Sequence, residues 1–213
     1  MNAFSTPRGL AIRIALVVAL LIAALIGLLV REDRARASGV EVRLAMEAFD
    51  PRSLLSGHYA ALQLTEALPP QAPCPPDLDA HFTSDDSWVA LSPTAEGHHR
   101  VSGGGGDRET AAEHGPVQVR GQAACREAQL PPDREGDGET PAEPQTQQIV
   151  TLDIGISRFY ADQQAAEAME AALREAAAPG GTAAFAIVSV GRDGRARLKG
   201  VEIDGGRTEL GWF

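Results

Sequence analysis

The chain has 213 residues and a formal net charge of −10. That length fits an anchor plus one domain with a single modest core. The acidic balance speaks against a nucleic-acid partner, because phosphate backbones recruit basic surfaces. Lys199 is the sole lysine among many arginines. With the excess of Ala, Gly and Pro, this reads as a compositional bias and not as a site.

Residues 1–9 form a short tail before an apolar run, Leu10–Val30, in which Arg13 is the one charge. At 1.5 Å per residue such a helix spans roughly 30 Å, the thickness of a bilayer core. Arg13 lies one turn from its start and can snorkel to the headgroups. Residues 31–39 then read as a charged juxtamembrane linker. Two fates of the segment stay open. An uncleaved signal anchor accounts for its length. Cleavage after Ala37 accounts for Ala35-Arg36-Ala37, which matches an A-x-A site, although leader cores are usually shorter. Charge does not orient the span: Arg8 and Arg13 precede it, while Arg31, Arg34 and Arg36 follow it, mixed with Glu32 and Asp33.

The rest, 40–213, reads as a β-rich domain. Glu41–Phe49 alternates Val42, Leu44 and Met46 with charged or small residues, as a half-buried strand does. Asp50–Ser53 is turn chemistry, and His58–Thr65 is a second strand. Pro69–Pro76 breaks the pattern. Ser87–Ser92 and Pro116–Arg120 predict short strands. Between them, Glu96–Gly115 contains Gly103–Gly106 and is expected to be a flexible loop. It lacks the Gly-Lys-Ser/Thr ending of a phosphate loop. A second flexible stretch, 130–148, is rich in Pro, Glu and Asp.

Ile149–Phe159 predicts one strand, with Val150, Leu152, Ile154 and Ile156 in phase. Asp162–Ala178 predicts a helix packed on the sheet, capped by Asp162 and ended by Pro179-Gly180. Ala183–Val190 is apolar on both phases, as in a central strand. Gly191–Gly194 supplies a hairpin turn, and Arg195–Ile203 returns. The return strand's phase slips at Lys199-Gly200, the mark of a β-bulge with glycine in the left-handed conformation. The expected architecture is mainly β (α+β): a transmembrane helix, then a small antiparallel barrel or sandwich-like domain with one packed helix.

The segment Asp50-Pro51-Arg52-Ser-Leu-Leu-Ser-Gly57-His58-Tyr59-Ala-Ala-Leu62-Gln-Leu64 resembles the signature of the GDYXXLXY family, whose run is a DPR turn followed by G-D-Y-x-x-L-x-Y. The likeness continues through Ile154–Tyr160 to Lys199-Gly200. It departs at His58, where the family has Asp, and at Leu64, where it has Tyr. A structural motif is the simpler reading of these positions: six residues, about 20 Å of strand, separate 58 from 64. The resemblance implies a single-pass protein of the bacterial inner membrane with its domain outside the cytoplasm. It also implies a non-catalytic role beside a polytopic membrane partner. With the domain outside, Cys74 and Cys125 are expected to form a disulfide.

No cofactor site or metal-ligand set is predicted. The histidines 58, 81, 98, 99 and 114 read as solvated. The alternative is a hydrolase resembling signal peptidases, with Lys199 as base and Ser38, Ser53 or Ser56 as nucleophile. The Ser-Met-x-Pro signature of such a nucleophile is missing.

Overall fold

The computed structural model describes residues 7–48, 59–78, 87–129, 146–156, 158–160, 171 and 184–209. The chain divides into two compact units, Met1–Ser38 and Gly39–Phe213.

The first unit holds helix α1, Pro7–Ser38. Proline suits its first turn because that N–H has no helical partner. The expected linker 31–39 is helical up to Ser38: Arg31–Ser38 contains neither Gly nor Pro, and the helix stops where Gly39 arrives. Its apolar side chains from Leu10 to Val30 are exposed.

Among the described residues the second unit has eleven strands. β1 (Val40–Ala48) follows the helix directly. Val40–Met46 pairs with β9 (Ala184–Val190), which pairs with β10 (Ala196–Ile203), and that in turn with β11 (Gly206–Glu209). On its other side β1 meets β4 (His99–Gly105) in parallel at Leu44 and His99. β4 pairs β3 (Trp88–Pro93), which pairs β5 (Val117–Arg120). The last residues of β1, Glu47 and Ala48, switch to β2 (Tyr59–Ala67). β2 joins β7 (Thr146–Asp153) and β8 (Arg158–Tyr160), and β7 joins β6 (Gln122–Gln129). Two sheets thus share β1, and among the described residues they do not close into a barrel.

Alternation decides which face each strand buries. Val42, Leu44 and Met46 of β1 share one core with Ala186, Val188 and Val190 of β9. Leu62 and Leu64 of β2 and Val150 and Leu152 of β7 complete it. β9 has neighbours on both sides and is the central strand its composition predicts. The hairpin after it closes through Gly191 N–H to Arg195 O (3.0 Å), with Gly194 at φ 75°.

Three expectations change. First, Glu96–Gly115 is not a flexible loop: it contains β4 and a short helix, α2 (Arg108–Ala112), capped by Asp107. The glycines are there for closeness. A Cβ on Gly103, Gly104 or Gly105 would lie 2.5 Å from the His114 ring, 2.5 Å from Asp77 O or 2.8 Å from Ala111 N, respectively. Second, the strand expected over Ile149–Phe159 is interrupted. Leu64 faces Leu152 while Ala61 faces Arg158, so three steps on β2 meet six on its partner. The excess is taken up after Asp153, whose Oδ1 accepts from Gly155 N–H. Third, the bulge at Lys199-Gly200 is present, but Gly200 is not left-handed. It is glycine because a Cβ there would lie 2.3 Å from Thr208 O of β11.

β7 also begins at Thr146, inside the stretch read as flexible; residues 130–145 and the predicted helix 162–178, apart from Ala171, lie outside the described residues.

Candidate functional site

Of the motif residues, Asp50, Pro51, Arg52, Gly57 and His58 lie outside the described residues. Tyr59 opens β2 opposite Tyr160. Leu62 and Leu64 are buried in the main core. Lys199 does not join them there. Its Nζ donates to Glu41 Oε2 at 2.6 Å, and Arg207 binds the same carboxylate at 2.8 and 3.2 Å. The bulge in β10 thus serves an ion cluster spanning β1, β10 and β11, the outer face of the first sheet's edge.

The hydrogen bond from Arg207, then that from Lys199, holds the Glu41 carboxyl at about 2, against an ordinary 4.5. A depressed carboxylate stabilises the fold fully above its unfolded pKa, and the contribution is lost as pH falls through the folded value. The window is therefore pH 4.5 down to about 2. Because the pair is over a third exposed, solvent screening reduces its contribution to about 1 kcal/mol. Glu41→Gln is expected to lose that amount at neutral pH and to flatten the acid limb of stability in this window. Denaturant unfolding at stepped pH measures both; an unchanged acid limb would show the cluster to be energetically idle.

A second polar cluster was not legible in the sequence. Glu66, near the end of β2, accepts from Arg100 Nε at 2.7 Å and sits 3.5 Å from His98 Nε2. His98 Nδ1 lies 3.1 Å from Thr94 Oγ1, and its ring packs on Phe185 at 5.5 Å. Arg43 stacks over the same Phe185 ring at 4.7 Å and pairs with Glu202 at 2.5 Å. The neighbouring His99 accepts from Arg43 N–H through Nδ1 at 3.4 Å. Burial, then the nearby His98, pushes its pKa down, so His99 is neutral at neutral pH. His98 and His99 are therefore half-buried residues of a strand margin, not solvated loop histidines. His114 pairs with Asp77 at 3.2 Å, while His58 and His81 lie outside the described residues.

Beside this cluster is a cleft of about 20 Å³, where β1 leaves the first sheet for β2. Leu44, Leu64, Thr65, Glu66, His99 and Val101 line it. It holds about one water molecule. Thr65 Oγ1 is buried at its wall without a protein partner, and such a hydroxyl is what an ordered water satisfies.

For hydrolysis through Lys199, three serines come into question. Ser38 ends α1, and Ser53 and Ser56 lie outside the described residues. Ser189, across from Glu41 in the β1–β9 register, is fully buried. Lys199 Nζ is held by the Glu41 carboxylate at 2.6 Å. Among the described residues no group of three or more His, Cys, Asp or Glu is placed to hold a metal ion.

Cys74 and Cys125 form a disulfide, with Cα atoms 5.9 Å apart. It fastens the Pro-rich segment after β2 to β6. Leu68 and Leu78 anchor the same segment in the core, and Gly104 N–H donates to Pro76 O at 3.1 Å.

No curated protein and no solved structure matches this chain. A family model described as GDYXXLXY protein matches residues 21–201, from inside the apolar helix to just past the Lys199-Gly200 bulge. Most of the sequence is covered by that match, and the chain belongs to the GDYXXLXY family.

Proposed function

We propose that this is a single-pass protein of the bacterial inner membrane whose β-rich domain stands in the periplasm and binds and stabilises a polytopic membrane protein, without catalysing a reaction. The observation that carries the reading is α1. Its span Gly9–Ser38 has a peak mean hydropathy of 2.9, and none of that apolar surface is covered by the fold. Left in water, so much apolar surface is strongly unfavourable; in a bilayer it is at home. Ala11, Ala15, Ala19, Ala23 and Gly27 recur at every fourth position of the helix. They form a strip along which another helix backbone can approach closely. The disulfide supports the periplasmic side, because such bonds persist in oxidising compartments. Among the described residues the polar clusters pair with one another, as in a binding module.

Reporter fusions test the topology. Alkaline phosphatase joined after residue 213 is expected to be active and a cytoplasm-dependent fluorescent protein dark; the reverse pattern overturns the placement. Purification in mild detergent tests the role. A stoichiometric polytopic partner is expected, and recovery should fall when Ala19 and Ala23 are both replaced by Leu. Recovery of the chain alone from native membranes, at every detergent gentle enough to preserve known complexes, would refute it.

A further inference from the structure

The turn between β9 and β10 gathers five arginines in a protein whose net charge is −10. Arg192 and Arg195 sit in the turn itself and are exposed. Arg108 of α2 donates to Arg192 O at 2.9 Å, and Arg120 of β5 donates to Asp193 O at 3.1 Å. Arg197 binds the Asp193 carboxylate at 3.2 Å. Trp88 organises the group: the Arg120 guanidinium stacks on its ring at 4.9 Å and that of Arg108 at 5.5 Å. Stacked guanidinium groups lose little further freedom on meeting a ligand. The acidic residues at hand are already engaged or few. Asp193 serves Arg197 and the Arg195 N–H, and Asp107 caps α2; of the described acidic residues in α2 and its caps this leaves Glu109 and Glu113.

The position of the cluster in the sheet gives it meaning. Val40 opens β1 and pairs with Val190, and Val190 pairs with Ala196. The arginine turn is therefore at the end of the sheet where the chain enters from α1. Only nine residues, Arg31–Gly39, separate the last apolar residue of the span from Val40. That short covalent connection bounds how far this end of the sheet can stand from the span.

We infer that the arginine-lined turn is a docking surface for the phosphates of anionic phospholipids. Guanidinium forks match phosphate oxygens bidentately. Each basic residue near an anionic membrane surface contributes about 1 kcal/mol, and the attraction fades within a Debye length. The inference rests on α1 spanning the bilayer, as proposed above.

The test uses the full chain in nanodiscs of phosphatidylcholine with and without phosphatidylglycerol, each lipid in turn carrying a photoreactive headgroup. Adducts mapped by mass spectrometry are expected on residues 191–197 with phosphatidylglycerol. They should be about tenfold fewer with phosphatidylcholine, in high salt, or in R192E/R195E, given the loss of one or more arginine contacts. Adducts on Arg31–Ser38 should persist in all arms. Equal labelling of the turn by both lipids, or none there while Arg31–Ser38 is labelled, overturns the docking surface alone. Cross-linking of the turn to a protein in native membranes, in place of lipid, overturns it too. Absence of adducts on Arg31–Ser38 overturns the anchor and the surface together. The variant is checked for its Cys74–Cys125 disulfide and its unfolding midpoint; if it fails to fold, the lipid and salt arms on the unaltered chain decide.

Discussion

Replacing Cys74 and Cys125 together by serine is expected to lower the unfolding free energy of the β-domain by about 4 kcal/mol. The bond closes a loop of 51 residues, and the chain-entropy model gives that figure for a loop of this length. A domain of this size is typically stable by only about 5–15 kcal/mol, so the loss is a large share of the whole. The bond also joins two segments that are held more by backbone pairing than by large buried side chains. β6, to which Cys125 belongs, buries Ala123 but no large side chain among its described residues. The segment bearing Cys74 is held by Leu68, Ala72 and Leu78 against the core, by hydrogen bonds between Leu68 and both Gln147 and Gln148 of β7, by the His114–Asp77 pair and by the bond from Gly104. Denaturant titration of the oxidised chain, the reduced chain and the double-serine variant measures the effect. Reduced chain and variant should coincide, and both should fall well below the oxidised chain. A difference under about 1 kcal/mol would mean that the reduced chain keeps this loop closed without the bond, and the entropic account would fail.

What could be read in advance, and what could not, follows from the range of the signal. β1 was legible because Val42, Leu44 and Met46 sit in one phase and all three are buried. β9 and β10 were legible because the turn and the strands around it are contiguous. The bulge was legible because a one-residue slip moves every later apolar side chain to the other face. β6 gave no signal: QAACREAQ has no apolar alternation, and it is held by pairing with β7 and by the disulfide. The Glu66–His98–Arg100 cluster gave none either. It needs β4 to lie parallel to β1, bringing His99 beside Leu44 across more than fifty residues. No local pattern encodes that. The disulfide stands between these cases. Two cysteines offer a single pairing, but the case for forming it came from the family likeness and its implied compartment.

The glycine run is where local reading misled most, and it supports the second large prediction. A row of glycines means flexibility only if nothing approaches the bare backbone. Here three neighbours do, and they differ in what they can yield. At Gly103 the obstacle is His114: its ring, 2.5 Å away, can turn by giving up Asp77, but its Cβ, 2.6 Å away, moves only with its backbone. At Gly104 it is the carbonyl oxygen of Asp77, 2.5 Å from an ideal Cβ. That carbonyl belongs to backbone fixed by Leu78 in the core and by the Gly104 N–H to Pro76 O bond. Neither strand nor segment can step aside without breaking this bond. Gly104→Val is therefore expected to destabilise the domain by about 3 kcal/mol, the upper part of the range for overpacking a close contact. Gly103→Ala adds a single methyl where valine adds three carbons, and should lose less, on the order of 1–2 kcal/mol. Gly106 is the control: nothing lies within 4 Å of its ideal Cβ and its φ is not left-handed. Gly106→Ala should be neutral or stabilise by about 0.5 kcal/mol through the unfolded chain. Unfolding midpoints for the three variants under oxidising conditions rank the sites. If Gly104→Val matched Gly106→Ala, the strand would be as loose as its composition suggested. If the ranking holds, the missing side chains are what allow β4 to pass under the disulfide-bonded segment.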